Sequence, residues 1–134
     1  TLNELLLLIM NPQCLEFKNT LIKFIEEAIS QLSNVKWSWV SLYIHLCACN
    51  ENDTLSIMND FCAHLDDHSE LLQDETPRLI EKVNVIHIRI DSNLYELQLS
   101  DFWTEIKNDE YNITIFWKWI KKIYGLSSQT IQQN

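Results

Sequence analysis

Residues 86–99 read Ile86-His87-Ile88-Arg89-Ile90-Asp91-Ser92-Asn93-Leu94-Tyr95-Glu96-Leu97-Gln98-Leu99. The period is two, as in a strand with one buried face. Folding the stretch about Ser92-Asn93 sets Ile90 opposite Tyr95, Ile88 opposite Leu97 and Ile86 opposite Leu99. Arg89 then faces Glu96 and His87 faces Gln98 on the other side, so one face is apolar and the other carries an opposite-charge pair. In the turn pair only Asn93 readily takes a positive φ. A lone two-stranded hairpin is not stable in water and must pack on something else.

The rest of the chain supplies helices. Asn11-Pro12 is a start signal, because Asn accepts from orphan N–H groups and Pro in the first turn loses no bond. After it Cys14, Phe17, Leu21, Phe24, Ile25, Ala28 and Leu32 share one face, with Glu16, Asn19, Lys23, Glu26, Glu27 and Ser30 opposite. Residues 36–49 are apolar on two sides: Trp37, Val40, Ile44 and Cys47 form one, and Trp39, Leu42, Leu46 and Cys49 the other. Such a helix is expected in the middle of a bundle. After a polar break at 50–53, Asp53 or Thr54 is the expected cap of a helix bearing Leu55, Met58, Phe61, Cys62 and Leu65. Short turns follow at 70–73 and, from Thr76-Pro77, at 77–82.

Beyond the hairpin, Ser100 or Asp101 opens a turn through Phe102, Trp103 and Ile106. Asn112 is the expected cap of a last helix with core residues Ile113, Phe116, Trp117, Ile120, Ile123 and Tyr124, closed by Gly125 at the left-handed C-cap position. The fold class is therefore mainly α, a bundle of roughly four to six helices with one β-hairpin inserted at about residues 85–99, before the C-terminal helices. The expected organisation is a single helical domain over 1–126 and a polar tail or linker over 127–134. Because the chain opens on Thr1, it reads as a domain excised from a longer protein or as a processed product.

Composition narrows the function. With 134 residues, 46% hydrophobic and 22% charged, the chain has the balance of a globular domain with one core. The apolar run 5–10 has no basic leader and is expected as core, and no run approaches the roughly 20 residues of a membrane helix. Net charge is −9, unevenly spread: residues 1–75 hold twelve acids and three bases, whereas 76–134 hold seven of each. Phosphate backbones are repelled by the first part, so nucleic acid is not an expected partner. The acidic surface of Asp66, Asp67, Glu70, Asp74 and Glu75 suits a protein partner with a basic segment, or is simply a solvated helix edge.

Cys14, Cys47, Cys49 and Cys62 show no C-x-x-C spacing and sit among apolar residues, as buried thiols of an intracellular, cytoplasmic or nuclear protein do. The alternative is a secreted, glycosylated helical-bundle ligand with paired cysteines and glycans at Asn52 and Asn112, which both open N-x-T triplets. A second alternative is a metal-dependent hydrolase. His64 and His68 are four apart, with Asp67 beside the second, a spacing that can hold a metal on a helix. No third ligand accompanies them, and the expectation is no metal and no cofactor. Ser38, Ser41 and His45 form a polar stripe that could join a hydroxyl to an imidazole, but one glycine in the chain leaves neither a nucleophile turn nor a phosphate loop its usual parts. The stripe is expected to satisfy polar groups between packed helices. A winged-helix DNA reader, suggested by the hairpin, ranks last because of the acidic segment upstream.

The last helix carries the best site candidate. Ile115 and Trp119 lie one turn apart, off the core face, beside Lys118 and Lys122. An exposed aromatic rimmed by lysines is the composition of a partner-binding hot spot, unless other elements cover it. The expected function is thus a non-catalytic protein–protein interaction module of a larger intracellular scaffold, adaptor or regulatory protein.

Overall fold

Asn11 caps the first described helix: its side chain accepts the Gln13 N–H at 2.8 Å, and Pro12 occupies the first turn. The computed structural model describes residues 11 to 133, so the apolar run 5–10 lies outside the described residues. Helix α1 (Pro12–Gln31) buries Cys14, Phe17, Leu21, Phe24, Ile25 and Ala28, the face its spacing predicts. Lys18 is also buried. Its ammonium donates to the carbonyls of Cys47 at 3.1 Å and Cys49 at 2.8 Å, so a cation closes the C-terminal end of the next helix.

That helix, α2 (Trp37–Cys47), departs from the expected central position. Trp39, Leu42, Leu46 and Cys49 are buried, but Trp37 is 71% exposed and Ile44 51% exposed, and Cys47 is exposed as well. Only one of its two apolar sides meets the core. The indole N–H of Trp39 is buried without a partner among the described residues.

Helix α3 (Glu51–Leu65) begins earlier than expected, because Asn50 rather than Asp53 or Thr54 is the cap. Asn50 Oδ1 accepts the Asp53 N–H at 2.8 Å while the Asp53 carboxylate accepts the Asn50 N–H at 3.4 Å, a reciprocal capping box. A 3₁₀ turn (Asp66–His68) and the short helix α4 (Ser69–Gln73) follow. Helix α4 ends in a Schellman motif: Thr76 N–H donates to the Leu71 carbonyl and Glu75 N–H to that of Leu72. The left-handed position is held by Glu75, with φ 51°, in a chain whose single glycine lies elsewhere. Helix α5 (Arg78–Lys82) leads into the hairpin.

The hairpin is present as β1 (Ile86–Ile90) and β2 (Asn93–Leu97), antiparallel. Its register corrects the sequence reading by two residues: Ile86 pairs with Leu97, Ile88 with Tyr95 and Ile90 with Asn93. Asp91, not Asn93, adopts the positive φ, 55°, so the loop closes one residue earlier. A shift of two preserves the face, and Ile86, Ile88, Ile90 and Leu97 are buried as expected. The outward pairs do change: Arg89 stands opposite Leu94 and His87 opposite Glu96, so the Arg89–Glu96 pair is not formed.

Helix α6 (Leu99–Ile106) carries Phe102 and Ile106 into the core. The last helix, α7 (Glu110–Gln133), starts before Asn112, because Asp109 Oδ1 accepts the N–H groups of Tyr111 at 3.1 Å and Asn112 at 3.4 Å. It also runs through Gly125, which has no left-handed φ, instead of stopping there. Residues 127–133 are therefore helical, and the buried Ser127 hydroxyl donates to the Ile123 carbonyl at 2.8 Å. At the centre, the Phe116 ring lies 5.2–6.2 Å from those of Phe24, Phe102, Trp103 and Trp117. The architecture is helical with one two-stranded hairpin inserted before the C-terminal helices.

Candidate functional site

Helix α7 packs along α1, and this brings the residues singled out on the last helix into one concave surface. Ile115, Lys118, Trp119 and Lys122 together line a groove of about 370 Å³. A second groove of about 400 Å³ adjoins it, sharing Trp119 and Lys122 and walled on the other side by Pro12, Leu15, Glu16, Asn19 and Lys23 of α1. Ile115 and Trp119 are half-buried. Trp119 packs against the core while keeping part of its ring in the groove. An exposed pair was the expectation; the structure shows Ile115 and Trp119 half-buried and lining a groove.

The α1 wall could not be read from the sequence. Glu16, Asn19 and Lys23 fall on the polar side of an amphipathic helix, and nothing local says that α7 lies beside that side. The rim is basic. Lys23, Lys118 and Lys122 surround it, against the single carboxylate of Glu16, which stands 3.8 Å from Lys122 with both groups largely in solvent. A pair this long and exposed contributes little stability.

The acidic segment lies on the 3₁₀ turn, α4 and the turn after it. Asp66, Asp67, Glu70, Asp74 and Glu75 are all exposed. Two of them are engaged within the fold: Asp66 accepts the Tyr124 hydroxyl at 2.6 Å, and Glu75 pairs with Lys121 at 2.9 Å. Burial and the Asp66 hydrogen bond push the Tyr124 phenol up to about 12. Asp67, Glu70 and Asp74 have no ion-pair partner among the described residues.

His64 and His68 lie on different elements. Helix α3 ends at Leu65 and His68 sits on the 3₁₀ turn, so the α-helical spacing is broken. His64 is already engaged at both ring nitrogens, donating from Nδ1 to the Asp60 carbonyl at 2.8 Å and accepting the His87 N–H at Nε2, 3.3 Å away. Among the described residues no group of three or more His, Cys, Asp or Glu side chains is placed to hold a metal ion.

The Ser38, Ser41 and His45 stripe also differs from its reading. It faces β2 rather than another helix. His45 Nδ1 donates to the Ser41 carbonyl at 2.7 Å, not to a hydroxyl, and its ring lies 4.9 Å from that of Tyr95. Cys14, Cys47, Cys49 and Cys62 are free thiols, and Cys47 is exposed where a buried thiol was expected. Asn52 and Asn112 both lie within helices, and the Asn112 amide donates to Asp109 at 3.0 Å. No helix among the described residues is long and apolar enough to cross a membrane. No family model, curated protein or solved structure matches the chain.

Proposed function

We propose that the chain is a protein–protein interaction module, without catalytic function, that docks a partner in the groove along α7 and the adjoining groove between α7 and α1. The observation that carries this reading is that Ile115, Lys118, Trp119 and Lys122 line one groove and that Trp119 and Lys122 also line the adjoining one. A large aromatic held against the core costs little entropy to bury, and surrounding lysines exclude water and select the partner's charge. The partner segment that fits presents an apolar side chain to Trp119 and carboxylates to Lys23, Lys118 and Lys122. The carboxylates of Asp67, Glu70 and Asp74, which have no ion-pair partner among the described residues, are available to a basic segment of the same partner. Four free thiols favour a reducing, intracellular setting for such an adaptor or regulatory role.

Affinity capture from cell lysate tests the reading, comparing the wild type with an Ile115→Ala, Trp119→Ala double variant shown by circular dichroism to be folded. A partner retained by the wild type and lost from the variant is the expected result. Equal capture by both overturns it.

A further inference from the structure

The hairpin has two edges, and they are finished differently. Along β1 the N–H groups of His87 and Arg89 point away from β2, and α3 takes both: His64 Nε2 accepts the first at 3.3 Å and Asp60 Oδ2 the second at 2.9 Å. Alternation then directs Ile86, Ile88 and Ile90 toward β2 and their partners Leu97, Tyr95 and Asn93 toward β1. The main-chain groups of Leu94 and Glu96 must point outward from β2. None of them has a hydrogen-bond partner among the described residues. An exposed row of unpaired N–H and C=O groups is a template for another strand.

The ground beside this edge is a groove of about 330 Å³ between β2 and α2, lined by Trp37, Ser38, Ser41, Leu94, Tyr95 and Glu96. Trp37 is one of the most exposed large apolar side chains described, and Leu94 is 58% exposed. Trp37 also begins the apolar side of α2 that the core leaves uncovered. A strand edge flanked by a helix, with apolar side chains at the floor and lip, is the arrangement in which an extended peptide gains main-chain bonds from the strand and specificity from the pockets.

We propose that the β2 edge and α2 form a second binding site, which takes an extended segment of a partner protein by β-strand addition. The incoming segment pairs with Leu94 and Glu96, lays an apolar side chain across Trp37 and Leu94, and carries Lys or Arg opposite Glu96. Charge decides between this occupant and a second copy of the chain. Glu96 is the charged residue lining the groove, and edge-to-edge pairing of two copies would bring two such carboxylates onto one ladder between molecules of net charge −9. A basic strand meets neither cost. The site is separate from the α1–α7 grooves and does not depend on their reading.

The test is selection of a library of random linear displayed peptides on the whole protein, followed by binding to Leu94→Pro and Trp37→Ala. Proline removes the outward N–H of an edge strand without breaking a bond to β1. Trp37→Ala alters a surface side chain and keeps the test valid if the proline variant does not fold. The expected result is enrichment of peptides with an apolar residue and a Lys or Arg two positions apart, on one face of a strand, with affinity falling roughly tenfold or more in each folded variant. Amide exchange of Leu94 and Glu96 slows when such a peptide is added. The proposal is overturned if no such peptide is enriched, if folded variants bind as tightly as the wild type, or if protection falls on residues 115–122 instead. It is equally overturned if the wild type is a dimer that Leu94→Pro converts to monomer, which would assign the edge to a second copy.

Discussion

His64 on α3 accepts the main-chain N–H of His87 on β1 at 3.3 Å, one helical turn from Asp60, which accepts the N–H of Arg89 at 2.9 Å. Two side chains spaced i and i+4 along a helix thus take two alternate amides along a strand, standing in for a third strand. The 6 Å rise of four helical residues and the roughly 7 Å repeat of two strand residues are close enough to allow the match.

Removing either acceptor is expected to loosen the hairpin without unfolding the bundle. Asp60→Ala should cost about 1.5 to 3 kcal/mol, since it removes a hydrogen bond to a charged group, and His64→Ala about 1 kcal/mol. Amide exchange at Arg89 and His87, respectively, should quicken in each variant. Unchanged exchange in both would show that these contacts do not hold the strand.

Lys18 is buried and closes α2 through the carbonyls of Cys47 and Cys49. Lys18→Met keeps much of the volume and removes both donors, so urea unfolding should show a loss of about 2 to 3 kcal/mol. Lys18→Gln restores a donor and should recover part of it. A midpoint unmoved in Lys18→Met would mean that the carbonyls find water at no cost.

Glu75 and Asp91 hold left-handed conformations that L side chains adopt at a cost. Glu75→Gly should raise stability by about 0.5 to 1 kcal/mol, because relief of the strain exceeds both the added chain entropy and the surface pair with Lys121. Asp91→Gly should act in the same direction in the hairpin loop. Thermal unfolding of the two variants reads the result, and a lower midpoint in both would contradict it.

Burial pushes the thiols of Cys49 and Cys62 up to about 11 from an ordinary value of 9.0, with nearby carboxylates adding to the effect. In each case the folded state keeps a proton that the unfolded chain releases. Their contribution is therefore intact below pH 9 and is lost as pH rises toward 11. Thermal midpoints should fall over that interval, and less steeply in a Cys49→Ala, Cys62→Ala variant. Alkylation of the folded protein near neutral pH should modify exposed Cys47 well before buried Cys14, Cys49 and Cys62.

Much of this architecture is local and was legible for that reason. The start of α1 at Asn11-Pro12, its buried face and the inward face of the hairpin follow from caps and periodicity, which act over a few residues. The hairpin register was less secure. Its turn depended on which polar residue takes the positive φ, and Asp91 and Asn93 are chemically close competitors for that position. The last helix shows the same limit: Gly125 is compatible with a left-handed stop, but Ser127 packs into the core and the helix continues.

Sequence alone determined the fold class, the apolar faces of the main helices and the grouping of Ile115, Lys118, Trp119 and Lys122 along one side of a helix, because spacing of 3.6 or 2 residues dictates which side chains share a face. Tertiary structure decided what those faces meet. It set α1 beside Trp119, turned one apolar side of α2 to solvent, closed one edge of the hairpin with Asp60 and His64, and gave the other edge no partner among the described residues. Each of these depends on contacts between residues far apart in the chain, and periodicity within one element carries no information about its neighbour.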